Sequence, residues 1–389
     1  KNIDIPNSKT VWEVEGNNKL TPNTPIKLIW SNNQSIKFKK EISIDNQYLF
    51  TVKQTITNSS KKTYNFYPYG QIIRNEVPDI TNFFILHEGP IGVFNSELVE
   101  KDYDDIQDKS YSINADTGFC GITDKFWITS LIPQENRKFR ADFDYKNKFR
   151  TNFIETSATE IGANETKSNE IKVLIAAKEV RVIDEYAKKL NIEKLDLVID
   201  WGYLYFLTKP MWFALDYFFK LLGNYGLAII AVTVCIRIAL FPLAQMSFKS
   251  MSRMKLLQPE MTRIKEVHKG DKMKLQQEMM ALYKREKVNP MSGCLPILPM
   301  IFIFFALYKV LFVTLDGRHK PFFGYLKDLS ERDPTSIFNL FGLINWTPPD
   351  FLLIGALPLF FGLTMWLQQK LNPAPPDPIQ AKIFMFFPI

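Results

Sequence analysis

The sequence predicts two parts of different fold class: an all-β domain followed by an α-helical polytopic membrane domain. Residues 1–200 carry 27 Lys and Arg against 29 Asp and Glu, a net charge of −2, whereas residues 201–389 carry 21 against 12, a net charge of +9. Apolar residues alternate with polar ones in the first part, which is typical of half-buried strands. The second part contains uncharged apolar stretches near the ~20 residues that cross a bilayer. These observations exclude a wholly soluble, a disordered and a disulfide-stapled protein.

Alternating apolar residues indicate a β domain over residues 1–195. The clearest alternation covers 47–57, where Tyr48, Phe50 and Val52 share one face and turn-forming residues flank the segment. Other strands are predicted at 36–38, 42–44, 64–66, 126–133, 138–145, 149–154 and 171–177. Roughly ten or more strands with little helix predict a β-sandwich. Helical spacing over 178–193 predicts a helix that closes the domain.

The β domain offers few residues for catalysis or metal binding. His87 is its only histidine, and an acidic cluster without the EF-hand glycine and glutamate is interpreted as a solvated loop, at Asp102, Asp104, Asp105 and Asp108. The three cysteines, Cys120, Cys235 and Cys294, are widely spaced. The latter two lie in apolar stretches and are interpreted as small buried residues. We therefore expect no enzyme activity, no catalytic residue, no metal site and no cofactor.

Residues 196–223 predict an amphipathic helix lying in the membrane interface. They are rich in apolar and aromatic residues but also carry Lys209, Asp216 and Lys220. Four aromatic side chains are the expected anchors at headgroup level, namely Trp201, Tyr203, Tyr205 and Trp212. The alternative is that this segment simply extends the first transmembrane helix.

The longest apolar stretches predict membrane-spanning helices. They correspond to 224–246, 290–315 and 350–369, with the start of a further helix at 381–389. The last of these stops at residue 389, and no apolar segment precedes the β domain. Because export of that domain requires a signal or anchor helix, we expect the chain to be trimmed at both ends.

The loop charges predict the orientation. Residues 247–289 contain 11 Lys and Arg against five acidic residues, whereas 316–349 contains four of each. The positive-inside rule therefore assigns 247–289, and with it 370–380, to the cytoplasm. The β domain and the 316–349 loop are then expected in the periplasm, attached to the inner membrane of a bacterium.

The cytoplasmic segment 247–289 predicts a helical hairpin. Apolar residues recur at three and four positions before Gly270, then again after it at Leu275, Met279 and Leu282. Pro259 is expected to bend or interrupt the first arm. A methionine-rich surface for varied apolar partners would involve Met254, Leu257, Met261, Ile264, Met279 and Met280. The alternative is that these residues form the interface between the two arms, and the basic face could meet anionic lipid or ribosomal RNA or act only as a topology signal.

Arg237 is the most informative single residue. It interrupts an apolar helix, where a charge costs at least ~2.5–3.5 kcal/mol on insertion scales, and Thr233 lies one turn before it. Its side chain could extend to lipid phosphate about 10 Å away at the cytoplasmic end. It could equally face a hydrated pocket that attracts acidic segments. The residues alone leave both interpretations open.

These segments resemble the YidC/Oxa/Alb family of membrane protein insertases over nearly the whole chain. The matching stretches are 233–237 with 241–243, 251–259 (MSRMKLLQP), 277–293 (QEMMALYKREKVNPMSG), 306–308 and 377–382 with 387–388. The first 195 residues resemble the periplasmic β-supersandwich of Gram-negative members, which is related to sugar mutarotases. The resemblance therefore implies a β-supersandwich followed by helices of the family's membrane core.

The resemblance implies a membrane protein insertase and chaperone that uses no nucleotide. Its hydrophilic groove, open to the cytoplasm and the lipid, would contain Arg237 and Thr233, and the 247–289 hairpin would recruit substrates. Relatives often carry glutamine where this chain has Met300, so a less polar groove is expected. The implied partners are nascent membrane proteins, the Sec translocon and the phospholipid bilayer, with the ribosome and the signal recognition receptor as further candidates, but not DNA.

Two other functions are alternatives to insertion. A solute transporter would use Arg237 as an anion site, but the spans show no internal repeat. A membrane-anchored periplasmic protein that binds or modifies carbohydrate would need acid and base residues in the β domain, where His87 is the sole histidine.

Overall fold

The computed structural model describes residues 3–78, 80, 86–268, 270–288, 295, 297–333, 335–346, 348–349 and 352–371. The chain forms two compact units. The first contains the residues up to 203 together with 311–316, and the second contains the remainder. The predicted segment 381–389, most of 370–380 and Cys294 lie outside the described residues. The prediction that Cys235 is buried was wrong, because its side chain is exposed.

The first unit is built from antiparallel strands. Its strands are β1 (Glu13–Glu15), β2 (Ile26–Ser31), β3 (Ile36–Ile44), β4 (Leu49–Asn58), β5 (Tyr64–Phe66), β6 (Tyr69–Arg74), β7 (Gly89–Phe94), β8 (Glu97–Glu100), β9 (Tyr111–Ala115), β10 (Gly118–Thr123), β11 (Trp127–Ile132), β12 (Phe139–Tyr145), β13 (Phe149–Glu155), β14 (Thr159–Ile161) and β15 (Glu165–Ala177). Nine of them form one sheet in the order β1-β2-β3-β4-β15-β11-β10-β7-β8. Four form a second sheet in the order β6-β13-β12-β9, and β14 pairs with β5.

The predicted all-β domain is confirmed. Side chains from both large sheets form one buried cluster, which includes Phe94, Cys120, Leu131, Phe143 and Phe153. Arg74 of β6 also donates two hydrogen bonds to Asp124, after β10, at 2.5 and 2.7 Å. Apolar burial and this half-buried ion pair therefore connect the two sheets.

Two predicted details of the strands were wrong. The segments 36–38 and 42–44 form one continuous strand, β3, because its residues pair with β2 and β4 without interruption. The strand predicted at 171–177 begins earlier, at Glu165, since its first half pairs with β4. Tertiary pairing thus extends strands beyond the segments with the clearest alternation.

Two helices complete the first unit. The acidic cluster is not a loop: Tyr103–Asp108 forms a short helix, α1, whose Tyr103 and Ile106 are buried while its aspartates stay exposed. Helix α2 (Val180–Lys189) lies inside the predicted 178–193 helix. Its buried Tyr186 donates a hydrogen bond to the carboxylate of Asp45, at 2.7 Å from one oxygen, and attaches α2 to the turn before β4.

The second unit is helical. Its helices are α3 (Tyr205–Leu222), α4 (Tyr225–Ala239), α5 (Phe241–Val267), α6 (Lys272–Arg285), α7 (Ile297–Val313) and α8 (Ala356–Leu371), and the last three residues of α7 belong to the first unit. A distorted 3-10 turn covers Ile337–Gly342. Together the two units confirm the predicted fold class, a β domain followed by a helical region.

Helices α3 and α4 are separate rather than one extended span. Gly223 ends α3 in the left-handed conformation, with φ of 68°, and Asn224 caps α4 by accepting a hydrogen bond from the N–H of Leu227. The side-chain amide of Asn224 also donates to the carbonyl of Phe322 at 3.1 Å. The junction between α3 and α4 therefore lies at residues 223 and 224, where Gly223 ends one helix and Asn224 caps the next.

Helix lengths bear on membrane crossing. Among the described residues, no single helix has both the length and the apolarity needed to cross a bilayer. Helices α4 and α5 have both when taken together, with a 59° bend between them, and α7 is apolar but shorter. The helix predicted as continuous over 224–246 is thus interrupted at Leu240, where Pro242 follows in the first turn of α5.

The segment between α7 and α8 is fixed to the start of α8. Asp333 accepts a hydrogen bond from the N–H of Leu357, and the Thr335 hydroxyl oxygen accepts one from the N–H of Ala356. The Ser336 hydroxyl donates to the carbonyl of Leu352 at 3.1 Å. Three contacts therefore satisfy backbone groups before and within the first turn of α8.

Candidate functional site

Arg237 lies in the last turn of α4, and it is the only charged residue of that helix. Its side chain is exposed, and within the part of the chain that the structure describes it forms no hydrogen bond or ion pair. A cation in the last turn of a helix is favoured by the helix dipole. The guanidinium therefore keeps its donors available to an anionic group.

Thr233 lies four residues before Arg237, so both side chains project from one face of α4. Thr233 is half-buried, and its hydroxyl donates to the carbonyl of Ile229 at 2.8 Å, one turn earlier. That bond leaves its hydroxyl oxygen able to accept another. The two residues form a polar strip on an otherwise apolar helix.

Met300 is half-buried in the first turn of α7. Thr233 and Arg237 lie on α4, whereas this methionine lies on α7. Its thioether sulfur is only a weak hydrogen-bond acceptor. Of the predicted groove residues, Thr233 and Arg237 share one face of α4, and the inclusion of Met300 in the same groove stays a prediction.

The 247–289 segment forms the predicted two-helix arrangement. Helix α5 continues through Pro259, so this residue does not interrupt the first arm, which was one of the two effects predicted for it. Asp271 caps α6 by accepting hydrogen bonds from the N–H groups of Met273 and Lys274, each at 3.1 Å. An ion pair between Glu260 and Arg285, at 2.7 Å, joins the two arms and, with Glu286, raises the pKa of Arg285.

Burial distinguishes the two interpretations of the hairpin methionines. The predicted residues of α5 are half-buried, or in the case of Met261 buried, and they are Met254, Leu257, Met261 and Ile264. On α6, Met279 is half-buried and the neighbouring Leu282 is buried. This is the pattern expected when two arms pack against each other.

Met280 is different, because 52% of it is exposed. It lies on the outer face of α6 beside a shallow depression lined by Met273, Gln276, Gln277, Ala281 and Lys284. Of the six predicted recruitment residues, Met280 alone is presented on the surface described here. Met273, which the sequence analysis left out, shares that surface and is 76% exposed.

The predicted interfacial anchors separate into two pairs. Trp201 is buried, and its indole N–H donates to the carbonyl of Asp196 at 3.1 Å, while Trp212 is buried on the same helical stripe as Thr208 and Leu215. Tertiary packing encloses both indoles, so neither ring is exposed as the predicted anchoring role requires. Tyr203 and Tyr205 are exposed, and their role as anchors stays a prediction.

The β domain contains an open polar cleft of about 700 Å³. Several carboxylates and amides line it, among them Asp116, Gln134, Glu135, Asn136, Glu170 and Glu193. His87 is not among its lining residues; its backbone N–H donates to Asp200 at 2.9 Å. No group of three or more His, Cys, Asp or Glu suited to a metal occurs among the described residues.

A buried lysine, Lys178, is a further candidate for a functional group that was not predicted from the sequence. Lys178 is 1% exposed and donates to the Thr123 hydroxyl at 2.9 Å. Burial lowers its pKa to about 8, against the opposing effect of nearby acids such as Asp200 and Asp124. It follows β15 without any local signal in the sequence, so only the fold reveals its burial.

Comparison with known proteins supplies the family. Residues 1–214 match the family model described as the YidC periplasmic domain, and residues 217–389 match the one described as the 60Kd inner membrane protein. Membrane protein insertase YidC of Pelagibacter ubique is 67% identical over 389 residues, covering all of this chain and 70% of that protein. The insertase YidC of Brucella suis is 47% identical, covering 99% of this chain and 64% of that protein.

The relatives are longer than this chain, which spans about two thirds of their length. Among solved structures, an active YidC insertase with its first transmembrane domain resolved matches at 18% identity and a TM-score of 0.39, covering 94% of this chain and 69% of that one. The relatives' names describe insertion rather than an enzymatic reaction, in agreement with the expectation of no enzyme activity. The two domain matches and the identity of these relatives establish that the chain belongs to the YidC family of inner-membrane protein insertases.

Proposed function

We propose that this chain is the main part of a membrane protein insertase and chaperone whose working groove contains Arg237 and Thr233. The observation that supports the groove is the exposed guanidinium of Arg237 on the apolar helix α4. Within the described part of the chain, this guanidinium forms no ion pair. An unneutralised charge in such a helix is costly, and it is retained where it meets water or an anionic partner. The acidic tail of an inserting protein is such a partner.

The mechanism follows from electrostatics and apolar burial. Arg237 attracts the acidic tail into the polar strip that it forms with Thr233, which shortens the apolar path that the tail must cross. For each acidic residue that crosses to the outer side of the membrane, the membrane potential contributes about 2.3 kcal/mol per 100 mV. The apolar segment of the substrate then leaves sideways into lipid, driven by burial of its surface. Met300, if it borders this groove, makes that part less polar.

The α5–α6 hairpin recruits substrates in this proposal. Its exposed surface around Met273 and Met280 combines flexible thioethers with the cationic Lys284. Such a surface suits apolar segments of varied sequence near anionic lipid. The Sec translocon, the ribosome and the signal recognition receptor are proposed as partners on the basis of the family alone. The β domain and the 316–349 loop are proposed to lie in the periplasm.

The test is complementation in insertase-depleted bacteria. The full-length gene carries Arg237, Arg237→Lys or Arg237→Ala, and insertion is scored for a single-span substrate with an acidic tail. The intact protein and Arg237→Lys are expected to insert this substrate, whereas Arg237→Ala is expected to insert it poorly because the groove has lost its cation. A matched substrate with a neutral tail should be far less sensitive to the change.

Two results would count against the proposal. If the arginine and alanine forms inserted the substrate equally well, Arg237 would not be needed in the groove, and its side chain would instead extend to lipid phosphate. Failure of the intact protein, despite membrane expression and a working host insertase as control, would argue against insertase activity itself. Neither solute transport nor carbohydrate binding gains support from the named relatives.

A further inference from the structure

The segment between α7 and α8 contains a long uncharged stretch. The 16 residues between Asp333 and Asp350 include no charged residue. Most of its large side chains are exposed. They are Phe338, Leu340, Phe341, Leu343, Ile344 and Trp346, with Leu343 the most exposed at 86%. We name residues 336–346 the apolar loop.

The base of the apolar loop is held firmly. Ser336 is fully buried, and its hydroxyl donates to the carbonyl of Leu352 while accepting from the N–H of Phe338 at 3.2 Å. The neighbouring Thr335 accepts from the N–H of Ala356 at 2.9 Å. Both contacts lie at the beginning of α8, so the loop starts and returns at the same end of that helix.

The backbone of the apolar loop projects its side chains outward. Leu340 and Phe341 have φ values of 50° and 57°, a left-handed conformation that is strained for bulky residues. Backbone hydrogen bonds hold this bend, from Phe341 N–H to the Ser336 carbonyl at 2.7 Å and from Ile344 N–H to the Asn339 carbonyl at 3.0 Å. Such strain persists only where the surroundings fix it and is typical of binding segments.

We propose that the apolar loop inserts into the outer-leaflet interface of the bilayer and fixes the depth of the start of α8. Contiguous apolar patches of this kind are rare on surfaces that face water. Lipid fits better than a protein partner, because the base of the loop is attached to the end of a predicted membrane helix. The stretch carries no charge to be desolvated, and Trp346 has the amphipathic ring that favours the headgroup level.

This inference goes beyond the proposed insertase activity, but it rests on the proposed placement of α8 in the membrane. Its test uses the full-length protein in liposomes of phosphatidylethanolamine and phosphatidylglycerol, with native cysteines replaced and one spin label per variant. The labelled sites are Leu343→Cys in the apolar loop, Leu363→Cys on an exposed part of α8, and Glu331→Cys before the loop. Power saturation then compares collisions with oxygen, which concentrates in lipid, and with a water-soluble nickel chelate.

The label at Leu343 is expected to favour oxygen, as at Leu363, while the label at Glu331 favours the chelate. Adding Phe341→Asp should shift the Leu343 label toward the chelate, whereas Arg332→Asp should not. A Leu343 label that behaves like Glu331 would overturn the inference, and so would a label shielded from both reagents, which indicates protein cover. A Leu363 label that favours the chelate would instead overturn the placement of α8, and the inference with it; none of these outcomes depends on insertion activity.

Discussion

The carboxylate of Asp333 accepts a hydrogen bond from the backbone N–H of Leu357, which lies 24 residues later in the chain, at 3.2 Å. The same carboxylate accepts from the hydroxyl and N–H of Thr335, at 2.6 and 2.9 Å. Asp333 thus caps α8 from a distant position and holds the base of the apolar loop. A carboxylate at a helix N-terminus also interacts favourably with the helix dipole.

Replacing Asp333 should loosen the first turn of α8. We expect Asp333→Ala to cost about 1 kcal/mol, as for other N-cap losses, and Asp333→Asn to cost less because its amide oxygen still accepts. Burial raises the pKa of Asp333, but the bonds from Thr335 and Leu357 outweigh it and lower the pKa below the ordinary 3.8. This stabilisation is therefore present above pH 3.8 and is lost as the pH falls through the lowered value. Hydrogen exchange at Ala356 and Leu357 measures both effects; equal exchange in all three proteins would refute the cap.

A second prediction concerns Gly226, at the start of α4. A Cβ atom at this position would lie 2.3 Å from Cδ2 of Phe322. Gly226→Ala must therefore displace the ring, and we expect a loss of about 1–3 kcal/mol, typical of overpacking. Adding Phe322→Ala should make the Gly226→Ala change nearly neutral. Gly270→Ala is the matched control, because open space surrounds that position; thermal unfolding in detergent gives the comparison, and additive losses in the double variant would contradict it.

A third prediction concerns Lys178. Its folded pKa, about 8, is below the ordinary 10.5, so between these values the unfolded chain binds more protons than the folded one. The contribution of Lys178 to the free energy of unfolding should therefore rise with pH across this range, by at most about 3 kcal/mol at about 1.4 kcal/mol per pKa unit. Lys178→Met should remove this rise, whereas Lys61→Met, at an exposed position, should keep it. Chemical unfolding at pH 7, 8, 9 and 10 tests this; parallel pH curves for wild type and Lys178→Met would disprove it.

A fourth prediction separates structure from recruitment in the hairpin. Met280 is exposed and Leu282 is buried, two residues apart on α6. Met280→Glu should leave the hairpin folded but reduce photo-crosslinking of nascent substrates to α6, since it adds an anion to an apolar surface. Leu282→Ala should destabilise the hairpin by about 2–5 kcal/mol, seen as faster proteolysis between α5 and α6. Normal crosslinking in Met280→Glu would remove this surface from the proposed recruitment site.

Some strands were predictable from the sequence and others were not, for a physical reason. The sequences of strands β4 and β12 alternate between apolar and polar residues, and this identifies both as strands. Strand β12 has one buried and one more exposed face, whereas most residues of β4 are half-buried. Strand β7 is buried on both faces, and β10 nearly so, and both contain glycine. An apolar run of that kind has no period-2 pattern and was missed. Its identity as a strand depends on the sheet into which it packs.

The same distinction applies to the candidate site. Thr233 and Arg237 lie on one helix, so their spacing alone predicts a shared face. The burial of Trp201 and Trp212 depends on packing between segments, which aromatic content does not encode. The cap of α8 by Asp333 joins residues 24 positions apart and has no local signature. Helical periodicity succeeded in the hairpin because its pattern repeats within each arm.

The interruption at Leu240 has a mechanical consequence. Pro242 has no N–H to donate back into α4, so a single residue joins the helix that carries Arg237 to the long first arm of the hairpin. Such a junction would allow the angle between the two helices to change while the hydrogen bonds within each helix are kept. If the hairpin recruits substrates as proposed, we expect binding to change the angle of α5 without tilting α4, the helix that carries Arg237. The Pro242→Ala change would restore a backbone N–H at this position and should make the junction between α4 and α5 more rigid.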